Sequence, residues 1–115
     1  MDKGSGIIRF NTKDGPQAIG PYSTASIYNG IIYLSGQIGL DPKTGELVGD
    51  DVQSQMKKIM ENMDIILKEL KHEFPDIIKC LIYLKNMSDF AAINEIYGSY
   101  FPKDNYPSRV AIAVA

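Results

Sequence analysis

Arg109 is the only charged side chain in the stretch Tyr106-Pro107-Ser108-Arg109-Val110-Ala111-Ile112-Ala113-Val114-Ala115. Pro107 fixes φ at the head of the run and removes a donor, and a strand follows best. Val110, Ile112 and Val114 place β-branched weight on one side of it, while Ala111, Ala113 and Ala115 leave the other side thin, as where a ligand or another backbone comes close. A guanidinium at the mouth of such a strand can grip a small carboxylate through two parallel N–H···O bonds. A charged hydrogen bond of that kind is worth about 1.5–3 kcal/mol net. The same residue also fits a surface salt bridge, or a gatekeeper charge protecting an aggregation-prone strand. In Ser35-Gly36-Gln37, a glycine at a strand end suits either a bulge with an amide exposed to a ligand or a plain strand terminus. Asn94 reads as a solvated amide one position off an apolar stripe.

Other chemistries find little support. The chain has one cysteine and one histidine, which excludes a Cys/His metal site within it, and its carboxylates show no ligand spacing. Cys80 lies in an apolar run with no histidine placed to activate it, so it reads as a buried small hydrophobe. His72 sits at a helix end, where it is a partner for the C-terminal dipole.

The elements that must carry these residues follow from periodicity and punctuation. Residues 1–5 are expected to be loose, 7–10 to form a short strand and 11–20 a loop. Asn29-Gly30 predicts a type I′ turn joining strands 23–28 and 31–37. Asp41-Pro42-Lys43-Thr44-Gly45 is a turn, and Asp50 or Asp51 then caps a helix. That helix runs to about residue 73, with Val52, Met56, Ile59, Met63, Ile66, Leu67 and Leu70 facing the core, until Phe74-Pro75 ends it. Met56, Met60 and Met63 read as core filler. Residues 77–84 form a central strand, apolar on both sides. Ser88 caps a second helix over 89–101, with Phe90, Ile93 and Tyr97 inward, and 102–107 is a loop. The order is that of an α+β sheet with both helices on one face. Its other face is left bare, so a closed homo-oligomer is expected.

Size and composition agree with a single domain over 1–115. Hydrophobic content is 44% and charged content 23%, and no apolar run approaches the ~20 residues that span a bilayer. No h-region of a signal peptide occurs near the start, so the cytoplasm is the expected compartment, with an organelle compatible if a transit segment were removed. A net charge of −2 and a pI near 5.3 give no general pull toward a phosphate backbone, which argues against nucleic acid as a partner.

Ala18-Ile19-Gly20-Pro21-Tyr22-Ser23, Ile32-Tyr33-Leu34-Ser35-Gly36-Gln37-Ile38 with Asp41-Pro42-Lys43-Thr44-Gly45, Asp89-Phe90-Ala91-Ala92-Ile93-Asn94-Glu95-Ile96-Tyr97, and Tyr106-Pro107-Ser108-Arg109-Val110 together resemble the reactive intermediate deaminase (RidA/YjgF) family. That resemblance implies a chorismate-mutase-like α+β fold, assembled as a homotrimer with sheets facing inward and active sites in the clefts between subunits. It implies hydrolysis of short 2-imino acids to 2-oxo acids and ammonia, with no cofactor. In the family pattern, Arg109 matches the arginine that binds the substrate carboxylate, Tyr22 a pocket tyrosine, Gly36 a backbone amide near the carboxylate with Ser35 beside it, and Asn94 a polar lining residue. Ala111 stands where many members have a cysteine whose backbone carbonyl orients the water or the imine nitrogen. Ala113 stands where a glutamate is common. The family's chain continues past the position of Ala115 through a Leu-Pro turn into a further strand carrying a glutamate. A translation-inhibiting endoribonuclease and a non-catalytic small-carboxylate-binding trimer are the alternative activities.

Overall fold

A computed structural model describes residues 6–115, so the expectation for residues 1–5 lies outside the described residues. Three short strands, β1 (Ile8–Phe10), β2 (Ala25–Tyr28) and β3 (Ile31–Leu34), form an antiparallel sheet in that order. Asn29 and Gly30 both take positive φ, 51° and 75°, as a type I′ turn requires, and set the register Tyr28↔Ile31 and Ala25↔Leu34. The strands are shorter than the sequence suggests. Beyond them one backbone bond follows, Ser35 donating its amide to the Thr24 carbonyl at 2.9 Å, and Thr24 Oγ1 accepts the Thr12 amide at 2.9 Å.

Helix α1 (Val52–Glu69) starts as expected, with the Asp51 carboxylate accepting the Ser54 amide at 2.8 Å. That bond is the main reason the Asp51 carboxyl lies below its ordinary range. The helix ends earlier than Phe74-Pro75. Lys71 adopts φ 65°, its amide donates to Lys68 O at 3.0 Å, and the His72 amide donates to Leu67 O at 2.8 Å. Those two bonds are a Schellman stop, built here on a lysine instead of the usual glycine. His72 thus falls past the helix and faces Asp76, Nδ1 to Oδ2 at 3.0 Å, rather than serving the helix dipole. Phe74–Asp76 forms a 3-10 turn.

Strands β4 (Lys79–Leu84) and β5 (Ser108–Ala113) pair in parallel, Lys79↔Ser108 through Leu84↔Ala113. The connection between them runs through a 3-10 turn, Met87–Asp89, into helix α2 (Phe90–Gly98). The expected Ser88 cap over 89–101 is therefore corrected. Ser88 lies inside the 3-10 turn, Asp89 precedes α2 without a side-chain cap bond, and the helix stops at Gly98.

The core lies where α1 and α2 meet the inward side of β4 and β5. Met56, Met60, Leu67, Phe74, Leu84, Ile93, Tyr97 and Phe101 are buried together, with Cys80, Ile82 and Phe90 packed against them. Asn62, fully buried in α1, donates Nδ2 to the Leu40 carbonyl at 2.7 Å and so ties the 38–49 segment to the helix.

The structure is an α+β fold with two helices and mixed sheets, but the strands form two separate ladders where one sheet is expected. β4 is central in neither: among the described residues its partner is β5 alone, and Leu81 and Tyr83 are 57% and 62% exposed beside Val110 and Ile112 at 43% and 44%. Cys80 is half-buried rather than sealed in. No helix among the described residues is long and apolar enough to cross a membrane.

A residue in the left-handed region costs about 1–2 kcal/mol unless it is glycine. Lys71→Gly should therefore stabilise the chain by about 1 kcal/mol. Urea denaturation would show it as a higher midpoint with an unchanged slope.

Candidate functional site

Arg109 and Ala111 sit on the half-buried side of β5, toward α2, while Val110 and Ile112 face out. Arg109 lies opposite Cys80 in the parallel ladder. Its side chain reaches α2, where Nη1 donates to Asn94 Oδ1 at 2.6 Å. Its Cζ stands 5.0 Å from the centre of the Phe90 ring and 5.1 Å from that of Tyr97. Phe90, Asn94 and Tyr97 are spaced by four and three residues, so one face of the helix presents all of them. The reading of Asn94 as a solvated amide off the stripe is corrected accordingly: it is half-buried and lies on the stripe.

This environment is unusual for a cation. None of the ion pairs among the described residues involves Arg109. The salt-bridge role fails, and a half-buried guanidinium is left with one neutral amide acceptor and two ring faces. A cation within about 6 Å of a ring centre gains about 0.5–2 kcal/mol, and each ring meets that distance. Among the described residues the guanidinium donates one hydrogen bond, to Asn94, which leaves most of its five donors for an anion.

Asn94, Tyr97, Gly98, Tyr106, Pro107 and Arg109 line an open cleft of about 450 Å3. The Tyr97 hydroxyl is buried, with no hydrogen-bond partner of good geometry among the described residues. Burial pushes its pKa well above the ordinary 10.0, the nearby Cys80 thiol adds to the rise, and the Arg109 charge opposes it. Tyr97 therefore stays an uncharged phenol through the physiological range.

Tyr22 and Gly36 line a second, smaller cleft of about 100 Å3 with Gln17, Ile19, Thr24 and Gln37. The Tyr22 hydroxyl accepts the Ile19 amide at 3.3 Å, which folds the 18–22 loop over its own ring. Among the described residues nothing lies within 4 Å of where a Gly36 Cβ would stand, so its backbone is open. The loop before Tyr22 is latched to the end of α1. Glu69 accepts the Thr12 hydroxyl at 2.6 Å and the Asp14 amide at 2.8 Å, and the Gly15 amide donates to Thr12 Oγ1 at 2.9 Å.

The sequence-predicted residues thus fall into groups. Arg109 touches Asn94, with Ala111 next on the same side of the strand. Tyr22 and Gly36 share the other cleft. Ser35 lines neither, because its hydroxyl is spent on the Ser23 carbonyl at 2.7 Å. Phe90 and Tyr97 were expected only as core; the polar residue set between two aromatics at helical spacing is the signal that marks them. Glu69 carried no signal at all.

Because the neutral phenol is the form the fold favours, Tyr97 contributes stability that is fully present below pH 10.0 and is lost as pH rises above it. Urea midpoints measured between pH 9 and about 11.5 should fall more steeply in wild type than in Tyr97→Phe.

Residues 12–115 match the family described as Endoribonuclease L-PSP. The chain is 43% identical over 113 residues to the human protein named 2-iminobutanoate/2-iminopropanoate deaminase, covering 96% of this chain and 82% of that one. It is 46% identical over 104 residues to a Lactococcus lactis protein named as a regulator, AldR, covering 90% and 82%. The crystal structure of E. coli TdcF with bound serine superimposes with a TM-score of 0.84 at 35% identity, over 94% of this chain and 86% of that one.

Proposed function

Starting from the fact that the chain belongs to the RidA/YjgF family, the one described as Endoribonuclease L-PSP, we propose that it is a 2-iminobutanoate/2-iminopropanoate deaminase. In this proposal Arg109 binds the carboxylate of a short 2-imino acid. Water adds to the imine carbon; the resulting carbinolamine expels ammonia, and the carbon–oxygen bond becomes the carbonyl of a 2-oxo acid. Imines are intrinsically labile to water, so holding the substrate against a positioned water supplies much of the acceleration, and no cofactor is needed. The Ala111 backbone carbonyl orients the water or the imine nitrogen, and the Gly36 amide, Tyr22 and Ser35 complete the pocket. The observation that carries the proposal is a half-buried arginine facing a cleft with an amide and two rings around it and no carboxylate partner. The serine held by TdcF is an amino acid with the carboxylate such a site would take.

The proposal extends to assembly: a single chorismate-mutase-like domain in the cytoplasm, closed into a homotrimer with sheets inward. Two features support it. Arg109 and Asn94 line one cleft and Tyr22 and Gly36 another on the same chain, which a neighbouring copy could join. The apolar side of β4 and β5 also stands open, as a face awaiting a partner does.

In an assay generating 2-aminoacrylate with a dehydratase and trapping the imine with semicarbazide, the protein should reduce the trapped product. Arg109→Ala should lose at least about tenfold of that activity, the lower end of what a charged hydrogen bond is worth. Full activity in the variant would overturn the proposal. The family description makes RNA cleavage the second reading. Against it stand the acidic pI and a lone histidine already engaged by Asp76. Cleavage of single-stranded RNA at low salt that disappears in Arg109→Ala would promote it.

A further inference from the structure

We propose that Phe90 and Tyr97 are positioning residues whose ring faces clamp the Arg109 guanidinium and hold its free N–H groups toward the cleft before any ligand arrives. The functional meaning of this clamp rests on the carboxylate-binding role just proposed; its existence does not.

An arginine on an open strand can sweep a long, flexible side chain through many rotamers. Here three groups along about two turns of α2 limit it in different directions. Asn94 Oδ1, at 2.6 Å from Nη1, ties one terminal nitrogen. The rings of Phe90 and Tyr97 lie under Cζ at 5.0 and 5.1 Å and limit how far the head group can move.

The choice of groups is informative. A carboxylate would hold the arginine as firmly, but it would occupy two donors and cancel the charge that a ligand must find. An amide and two ring faces fix the position and leave the charge whole. Ordering the receptor in advance removes a cost otherwise charged against ligand affinity.

The rings are themselves anchored. Tyr97 lies 5.0 Å from Phe101, and Phe101 packs edge-on to Phe74 at 5.5 Å and 87°. Phe90 packs against the buried cluster. The Tyr97 hydroxyl is buried without a hydrogen-bond partner among the described residues and stays neutral, so its ring, and not its oxygen, carries the role.

The test uses the 15N-labelled full chain. The Nε–Hε resonance of Arg109, assigned by its loss in Arg109→Lys, should be displaced upfield by the ring currents. It should stay displaced in Tyr97→Phe and move toward the free-arginine position in Tyr97→Leu. Calorimetric titration with 2-oxobutanoate should show Tyr97→Leu weakened about tenfold, and Tyr97→Phe restored to within about twofold. In turnover, KM should rise in Tyr97→Leu by more than kcat falls. An undisplaced resonance in wild type, or one unchanged in Tyr97→Leu, overturns the clamp. Should Tyr97→Leu fail to fold, Phe90→Leu, at a half-buried position, is read by the same measurements with the same expected and overturning results. Failure of wild type to bind 2-oxobutanoate or to act on the imine would instead remove the proposed activity, with the resonance still deciding whether the clamp exists.

Discussion

The parallel pairing of β4 with β5 is the constraint on which the rest depends. Two parallel neighbours cannot be joined by a tight turn; the chain must cross over, and here it crosses as α2. The crossover packs back onto the strands it joins. The register Cys80↔Arg109 then brings the arginine beneath the middle of that helix, where Phe90, Asn94 and Tyr97 meet it. A cation on a strand and its amide and aromatic neighbours on a helix are thus placed by one topological necessity.

The same pairing accounts for what remains open. Arg109 and Ala111 face the helix and are half-buried, while Leu81, Tyr83, Val110 and Ile112 point away from both helices. Helical cover is spent on one side only. The chain buries enough with Met60, Ile66 and Ile93 to hold its fold, yet leaves an apolar side of β4 and β5 exposed.

Much of this was legible in the residue order. Asn29-Gly30 named its turn because only residues tolerant of positive φ sit there comfortably. The methionine-rich stripe of α1 and the strand headed by Arg109 followed from period alone, and matched segments pointed to the family. What escaped was physically of another kind. The end of α1 is set by a lysine in the left-handed region, a position that sequence reading reserves for glycine. Asn94 looked solvated because its partner lies fifteen residues away, across a loop and a strand boundary. Asn62 carries no mark in its local sequence, yet it is fully buried against the Leu40 carbonyl. Each is decided by a long-range or backbone contact that no local pattern records.

The latch at Glu69 makes the length of α1 a fixed dimension of the molecule. Its carboxylate holds the Thr12–Asp14 backbone from the last residue of the helix, and that backbone leads directly to Tyr22. Inserting one residue anywhere between the Asp51 cap and Glu69 would swing the carboxylate about 100° around the helix axis, away from the loop. Substitutions on the outer face of α1 leave this geometry alone, whereas insertions and deletions break it. The surface of α1 can thus vary without disturbing the latch, whereas its residue count cannot.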